Sequence, residues 1–419
     1  MNPFELKPKK LDSYVVPLNK LFLQPYNKHE VDAFTKVRLI LAQGTEFEAN
    51  ANSHQMARHT YNNDIRRRIA NIRRQEQLQH KMLSSLKPKD ENMLETTLSY
   101  EQLAVELTAI MAQRAKNYVL KQQLDFALLE DFDHLYRFCD LLEMEEGKHF
   151  EKYIGNYTEV MPGRPTVAEF RHPNDDIRFA VSANKNELLT NIDIGIITAA
   201  EQQTMNFYMN LGAYHPNDLG RKLFSEIAMI EEQHVSGYES LKDPDMTWLE
   251  CLVMHEYTEC YLYYSLYQDE KNPSIRRLFE QIFEQEVAHL HEACDLLKTY
   301  EGKPFDEVIP YGNFPELIKF GENRHYIRKV LNDVNLTAVK EGYVKVSEMD
   351  KNSDFCTYQR KFVGSGSKNP SHMVIEKYIS KNGEDLRYQT APHPVKELQD
   401  RKSDNITVGR CECCLSGKC

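Results

Sequence analysis

The sequence predicts an all-α protein: two tandem four-helix bundles followed by a mixed, partly irregular C-terminal extension. Three observations carry that expectation. Two long stretches, about 31–147 and 187–302, show helical patterning broken by turn residues at regular intervals. The stretches repeat. Adding 155 to Glu46, Glu76, Glu101 and His134 gives Glu201, Glu231, Glu256 and His289. The same offset carries the segment at 145–150 onto that at 300–305, aligning Gly147 with Gly302. Finally, Glu231 precedes His234 by three residues, and Glu286 precedes His289 by three. Such pairs share one face of a helix.

Composition bounds the class. A chain of 419 residues has room for two or three domains. An apolar share of 41% with mixed charge is that of a soluble globular protein. A net charge of -11 argues against nucleic acid as a main partner. The N-terminus has no apolar core of a secretory signal, and no apolar run is long enough to span a bilayer. Nine cysteines, an odd number, read as mostly reduced thiols in a cytoplasmic protein with no membrane partner.

In order, residues 1–30 carry four prolines and read as an irregular arm. The first bundle, 31–150, is expected to hold helices near 31–58, 63–86, 95–121 and 123–146. Asn62 to Asp64 forms a cap region there, and Lys87 to Asp90 a turn. Residues 151–186 read as a linker. The second bundle, 187–305, is expected to hold helices near 187–213, 217–239, 246–269 and 274–300. His215-Pro216-Asn217 and Asp243-Pro244-Asp245 look like turns, and Asn272-Pro273 is a cap followed by proline at the first helical position. The extension, 306–419, reads as loops with one short helix near Tyr326–Leu331, short β segments near 342–349, and a Cys-rich tail.

The second half carries the stronger candidate site. Glu201 and Glu256 each stand 30 residues before a Glu-x-x-His pair. Two lone glutamates plus two such pairs, on four helices, is the ligand set of di-iron and di-manganese carboxylate bundles. Carboxylates inside a bundle are costly unless compensated. Two divalent cations would neutralise them, and oxygen with imidazole ligands suits iron or manganese. The simplest expectation has Glu231 and Glu286 bridging, Glu201 and Glu256 terminal, and His234 and His289 on one ion each. The first half offers Glu46, Glu76, Glu101, Asp131 and His134, with Gln79 standing where the second half has a histidine. Its site is expected to be degenerate, with Glu48, His54, His80 and Glu106 as nearby substitutes.

At these residues the chain resembles the ferritin-like superfamily of di-iron carboxylate proteins, and its second half is similar to the rubrerythrin group. Tyr208, seven residues after Glu201, looks like that group's first-helix motif. Glu259, three after Glu256, looks like the extra glutamate of its third helix. Tyr263 and Tyr264 stand where a tyrosine beside the ligands is expected. The resemblance implies two iron ions, with manganese as the alternative, and an oxidoreductase acting on peroxide or O2 with an external electron donor. Tyr208 and Tyr263 would then be its catalytic tyrosines, and a homo-oligomer is compatible. The chain departs from the family in three ways. It has no paired CxxC electron-relay module. Only 25 residues separate Glu231 from Glu256, where the family has a longer crossover. It also has a long tail. If the crossover is absent, an up-down-up-down bundle is the alternative. The rival function is metal sequestration or handling. Cys411, Cys413, Cys414 and Cys419 match no zinc-ribbon or ferredoxin spacing. Their density suits zinc or copper, or a dithiol pair, and incidental thiols in a disordered tail fit equally.

Overall fold

The structure is a computed structural model. It describes residues 1–155, 157–160, 170–182, 186–333, 336–362, 369–383 and 395–399. The four tail cysteines and the expected metal site on them lie outside the described residues.

Among the described residues the protein is all-α apart from one small hairpin. The first half holds α1 (Ala33–Arg58), α2 (Asn63–Ser85), α3 (Met93–Arg114) and α4 (Tyr118–Glu146). A single turn, α5 (Glu151–Ile154), follows. The second half holds α6 (Leu188–Leu211), α7 (Asp218–Ser240), α8 (Trp248–Asp269) and α9 (Pro273–Glu301). Short polar residues start these helices by accepting from otherwise unpaired backbone N–H groups. Asp32, Asn62, Asn117, Asn217 and Asn272 do so as simple caps. Asn92 with Glu95, and Thr247 with Glu250, form reciprocal capping boxes. Gly147 and Gly302 end α4 and α9 in the left-handed region, at φ 62° and 72°. Glycine takes that conformation without steric cost, so the repeat preserved a glycine at both ends.

One boundary differs from expectation. The break between α3 and α4 falls at 115–117, because Asn117 caps α4 within a run of good helix formers. Beyond α9 come α10 (Arg324–Val330), β1 (Leu336–Val339) paired antiparallel with β2 (Gly342–Lys345), α11 (Asp354–Phe362) and α12 (Pro370–Asn382). No local signal in the sequence was strong enough to place α11 and α12. Among the described residues no helix is long and apolar enough to cross a membrane.

The chain divides into two compact units, and they differ from the tandem domains expected. Unit 1 comprises Met1–Glu91, Ala180–Gln203 and Lys242–Phe320. Unit 2 comprises Asn92–Phe179, Thr204–Leu241 and Gly321–Cys419. In unit 1, α1 packs on α2, α2 on α9, α9 on α8 and α8 on α1, closing a four-helix ring. The first part of α6 lies against α1, where Gly44 leaves only enough room for the carbonyl of Ala199. In unit 2, α3 packs on α4 and α4 on α7, with α12 against both α4 and α7. Its core joins Leu98, Phe132, Phe138, Phe224 and Ile227 with Val374 of the extension.

Each unit therefore takes its main helices from both repeats. The connection lengths account for this. Turns of three or four residues join α1 to α2, α3 to α4 and α8 to α9, which makes hairpins. Only Leu86–Asn92 joins α2 to α3, and only Leu241–Thr247 joins α7 to α8. Seven extended residues span roughly 24 Å. A helix as long as α2 is roughly 35 Å. The long crossover of a ferritin-like bundle cannot be made with so short a link. The chain instead passes into the other unit at both points.

Candidate metal centres

Unit 1 buries Glu76 of α2, Glu256 of α8, and Glu286 and His289 of α9, with ligand atoms within 4.8 Å of one another. Nδ1 of His289 lies 2.9 Å from Glu286 Oε2, 3.0 Å from Glu76 Oε1 and 3.7 Å from Glu256 Oε2. Its Nε2 lies 3.0 Å from Gln75 Oε1. An amide oxygen only accepts, so Nε2 donates to Gln75, and Nδ1 faces the carboxylates, where its proton or a bound cation can sit. Glu46 of α1 and Glu259 of α8 join the same cluster. Glu46 meets Glu76 and accepts from the Tyr263 hydroxyl. Glu259 meets Glu286 and accepts from Thr45 at 2.9 Å. Gln79 donates its amide to Glu286.

The electrostatics of this cluster are severe. Five carboxylates and one imidazole share a site in which no member is more than 1% exposed. Burial, then repulsion from neighbouring carboxylates, pushes Glu46, Glu256 and Glu259 well above the usual carboxylate range. Glu286 is raised by burial as well. Burial also penalises Glu76, but the contact with His289 outweighs it and holds Glu76 low. His289 opposes its own burial through Glu286 and Glu76, and its pKa is raised. Oε2 of Glu46, Glu256 and Glu259 is buried and finds no hydrogen-bond donor among the described residues. A divalent cation fits here in both charge and donor type, displacing the protons that the carboxylates and His289 otherwise hold.

Unit 2 builds a related centre with more nitrogen. Glu101 of α3, His134 of α4 and Glu231 of α7 bring ligand atoms within 4.8 Å of one another. Asp131 of α4 and His234 of α7 extend the group. Nδ1 of His134 lies 3.0 Å from Glu231 Oε1 and 3.9 Å from Glu101 Oε2. Nδ1 of His234 lies 3.2 Å from Glu231 Oε2 and 3.3 Å from Asp131 Oδ1. Burial works against ionised Glu231, yet the two histidines hold its pKa far below the usual range. Nε2 of His134 is buried without a hydrogen-bond partner among the described residues. The Tyr208 hydroxyl donates to Glu101, as Tyr263 does to Glu46 in unit 1. Burial, then the adjacent carboxylate, raises both phenols, so each stays a donor.

Behind His234 stands a buried charge chain. Its Nε2 is 3.0 Å from Glu130 Oε2, and Arg171 Nη1 donates to Glu130 Oε1 at 2.6 Å. Arg171 Nε reaches Asp176 at 2.7 Å. A carboxylate behind a ligand histidine fixes the ring and raises its basicity. The corresponding partner in unit 1 is the neutral Gln75.

These placements correct the expected single site. The second-half residues do not form one centre. Glu256, Glu259, Glu286 and His289 join Glu46 and Glu76 in unit 1. Glu231 and His234 join Glu101, Asp131 and His134 in unit 2. Glu201 is buried on α6, near the end of the stretch that belongs to unit 1. Nor do the first-half residues gather into a degenerate group of their own, because each lies among carboxylates and histidines that include members of the other repeat. Gln79 and Asp131, read as two defects of one site, belong to different centres. Tyr264 packs, half-buried, against Phe283 and Phe314. Glu106 is held by Thr158 and Asn323, away from either ligand set. His54 is exposed, His80 is partly buried, and Glu48 contacts His255. Sequence reasoning missed Gln75, Glu130 and Arg171. Gln75 and Glu130 stand directly before Glu76 and Asp131, a signal available in hindsight. Arg171 lies in the presumed linker and had none.

No protein-family model, curated protein or solved structure matches the chain.

Proposed function

We propose that the protein is a di-metal carboxylate oxidoreductase of ferritin-like type, with a metal centre in each unit. The observation that supports it most is the shared aim of His134, His234 and His289. Each turns Nδ1 into a fully buried group of carboxylates. Buried acid clusters of this density cost several kcal/mol per uncompensated charge. Ligands would be Glu46, Glu76, Glu256, Glu259, Glu286 and His289 in unit 1. In unit 2 they would be Glu101, Asp131, His134, Glu231 and His234. Glu201 is the counterpart of Glu46 by the repeat offset. Two bound iron or manganese ions would supply redox chemistry toward O2 or peroxide, with electrons from an external donor.

The chain's own residues do the rest. Gln75 and Glu130 orient the rings of His289 and His234. Tyr208 and Tyr263 keep a proton at the oxygens of Glu101 and Glu46, where charge develops or is lost. Apolar residues on the same helices, such as Leu262 and Leu290 in unit 1 and Leu135 and Ile227 in unit 2, exclude water. Anaerobic loading with Fe(II), then elemental analysis and peroxide consumption, tests the proposal. The expected result is about four ions per chain, two per centre, with peroxide turnover. A chain that takes up no iron or manganese overturns the di-metal reading. Full loading without turnover of O2 or peroxide replaces the enzyme by a metal-storing protein.

A further inference from the structure

The unit 1 centre is sealed, yet one line of donors leads from it to the edge of the bundle. His255 of α8 precedes Glu256 and lies one turn before Glu259. Its Nδ1 is 3.3 Å from Glu48 Oε2, and its Nε2 is 3.6 Å from Glu259 Oε2. The side chain of His255 is 15% exposed, whereas that of Glu259 is wholly buried. His255 Nε2 and Glu259 Oε2 face each other, and neither has a hydrogen-bond partner among the described residues. The Lys242 ammonium stands 3.7 Å from Glu48 at the outer end. At the inner end, Glu259 meets Glu286, Glu46 and Glu76.

We propose that His255 and Glu259 form an outer divalent-cation site, oriented by Glu48, through which metal reaches the unit 1 centre. Metal–nitrogen and metal–oxygen bonds are about 2.1 Å, so two donors on one ion sit about 3.0–3.4 Å apart. The 3.6 Å gap between Nε2 and Oε2 is close to that separation. The other ring nitrogen faces a carboxylate, as it does in most metal-bound histidines. Glu259 then belongs to both sites and can pass the ion inward by turning one oxygen. The repeat gives this line no counterpart. The positions 155 residues before His255 and Glu259 are Tyr100 and Ala104, both buried in unit 2. The route is a property of unit 1 alone.

This inference rests on the di-metal reading, and the test separates the two. Crystals of the full chain are soaked anaerobically with Mn(II) for increasing times, and anomalous density is measured at each centre. His255→Ala should slow filling of the unit 1 centre at least tenfold, with unit 2 filling at the wild-type rate and both reaching wild-type occupancy. Glu48→Gln should slow unit 1 by a few-fold. Filling of unit 2 serves as the folding control. Wild-type rates at unit 1 in His255→Ala overturn the route and leave a plain ion pair. A loss of final occupancy there, without a change of rate, also overturns it by making His255 part of the centre. If neither wild-type centre takes Mn(II) or Fe(II), the di-metal reading falls and this route with it.

Discussion

In unit 1, His289 faces Glu46, Glu76, Glu256, Glu259 and Glu286. In unit 2, His134 faces Glu101 and Glu231, His234 faces Asp131 and Glu231, and Arg171 stands behind His234 through Glu130. The two centres descend from one repeated pattern but balance charge differently. Unit 2 carries part of its compensation in its own imidazoles and guanidinium. Unit 1 has one imidazole for five acids and a neutral Gln75 behind it. Under the proposed di-metal reading, the unit 1 core would depend more heavily on an added cation, and its oxygen-rich donor set would favour harder ions.

The largest expected effect comes from Glu286→Ala. It should empty the unit 1 centre and leave unit 2 loaded, halving the metal per chain in elemental analysis. Loss of all metal would instead mean that Glu231, His234, Glu286 and His289 act as a single centre.

Arg171→Met removes the guanidinium paired with Glu130 in unit 2. Breaking a buried pair from one side costs about 3–5 kcal/mol. The variant should also weaken unit 2 metal affinity about 10–100-fold through the loosened His234. Gln75→Leu, its unit 1 analogue, removes a neutral acceptor and should cost about 1–3 kcal/mol. Urea unfolding and competitive metal titration give both numbers. Equal costs for the two variants would erase the asymmetry.

Glu106 sharpens the comparison through pH. It is buried in unit 2, and its counterpart 155 residues on is Tyr261, which donates to the carbonyl of Glu316. Burial outweighs the hydrogen bonds from Thr158 and Asn323 and pushes Glu106 up to about 7, from an ordinary 4.5. Between those values the folded chain keeps a proton that the unfolded chain releases. Wild-type stability thus falls as pH rises through this window, by up to ~3 kcal/mol. Glu106→Gln removes that dependence. Its stability relative to wild type should rise by ~3 kcal/mol between pH 4 and pH 8 in denaturant titrations. A pH-independent difference would show that Glu106 ionises normally in the fold.

The smallest effect is expected from Gln79→His. It adds a second imidazole to unit 1 and removes the amide bond to Glu286. Visible spectra of the Co(II)-loaded protein should change at one centre only. Affinity should shift toward nitrogen-preferring ions such as Zn(II). A spectrum identical to wild type would mean that position 79 does not reach the metal.

The sequence by itself determined the long helices of both halves, most of their caps, the repeat and most members of the buried carboxylate–histidine groups. These are local or periodic properties. Asn62, Asn272-Pro273, Gly147 and Gly302 mark helix ends within a few residues of themselves. A Glu-x-x-His pair shares a face in any helix. The tertiary structure alone decided which copies meet. A repeat states that Glu76 and Glu231 are equivalent, but not whether α2 packs beside α9 or beside α4. That choice turned on seven-residue links at 86–92 and 241–247, too short for a crossover, and on long-range packing that periodicity does not encode. For the same reason Arg171 was invisible. Its role exists only because the fold places it 2.6 Å from Glu130, which precedes it by 41 residues.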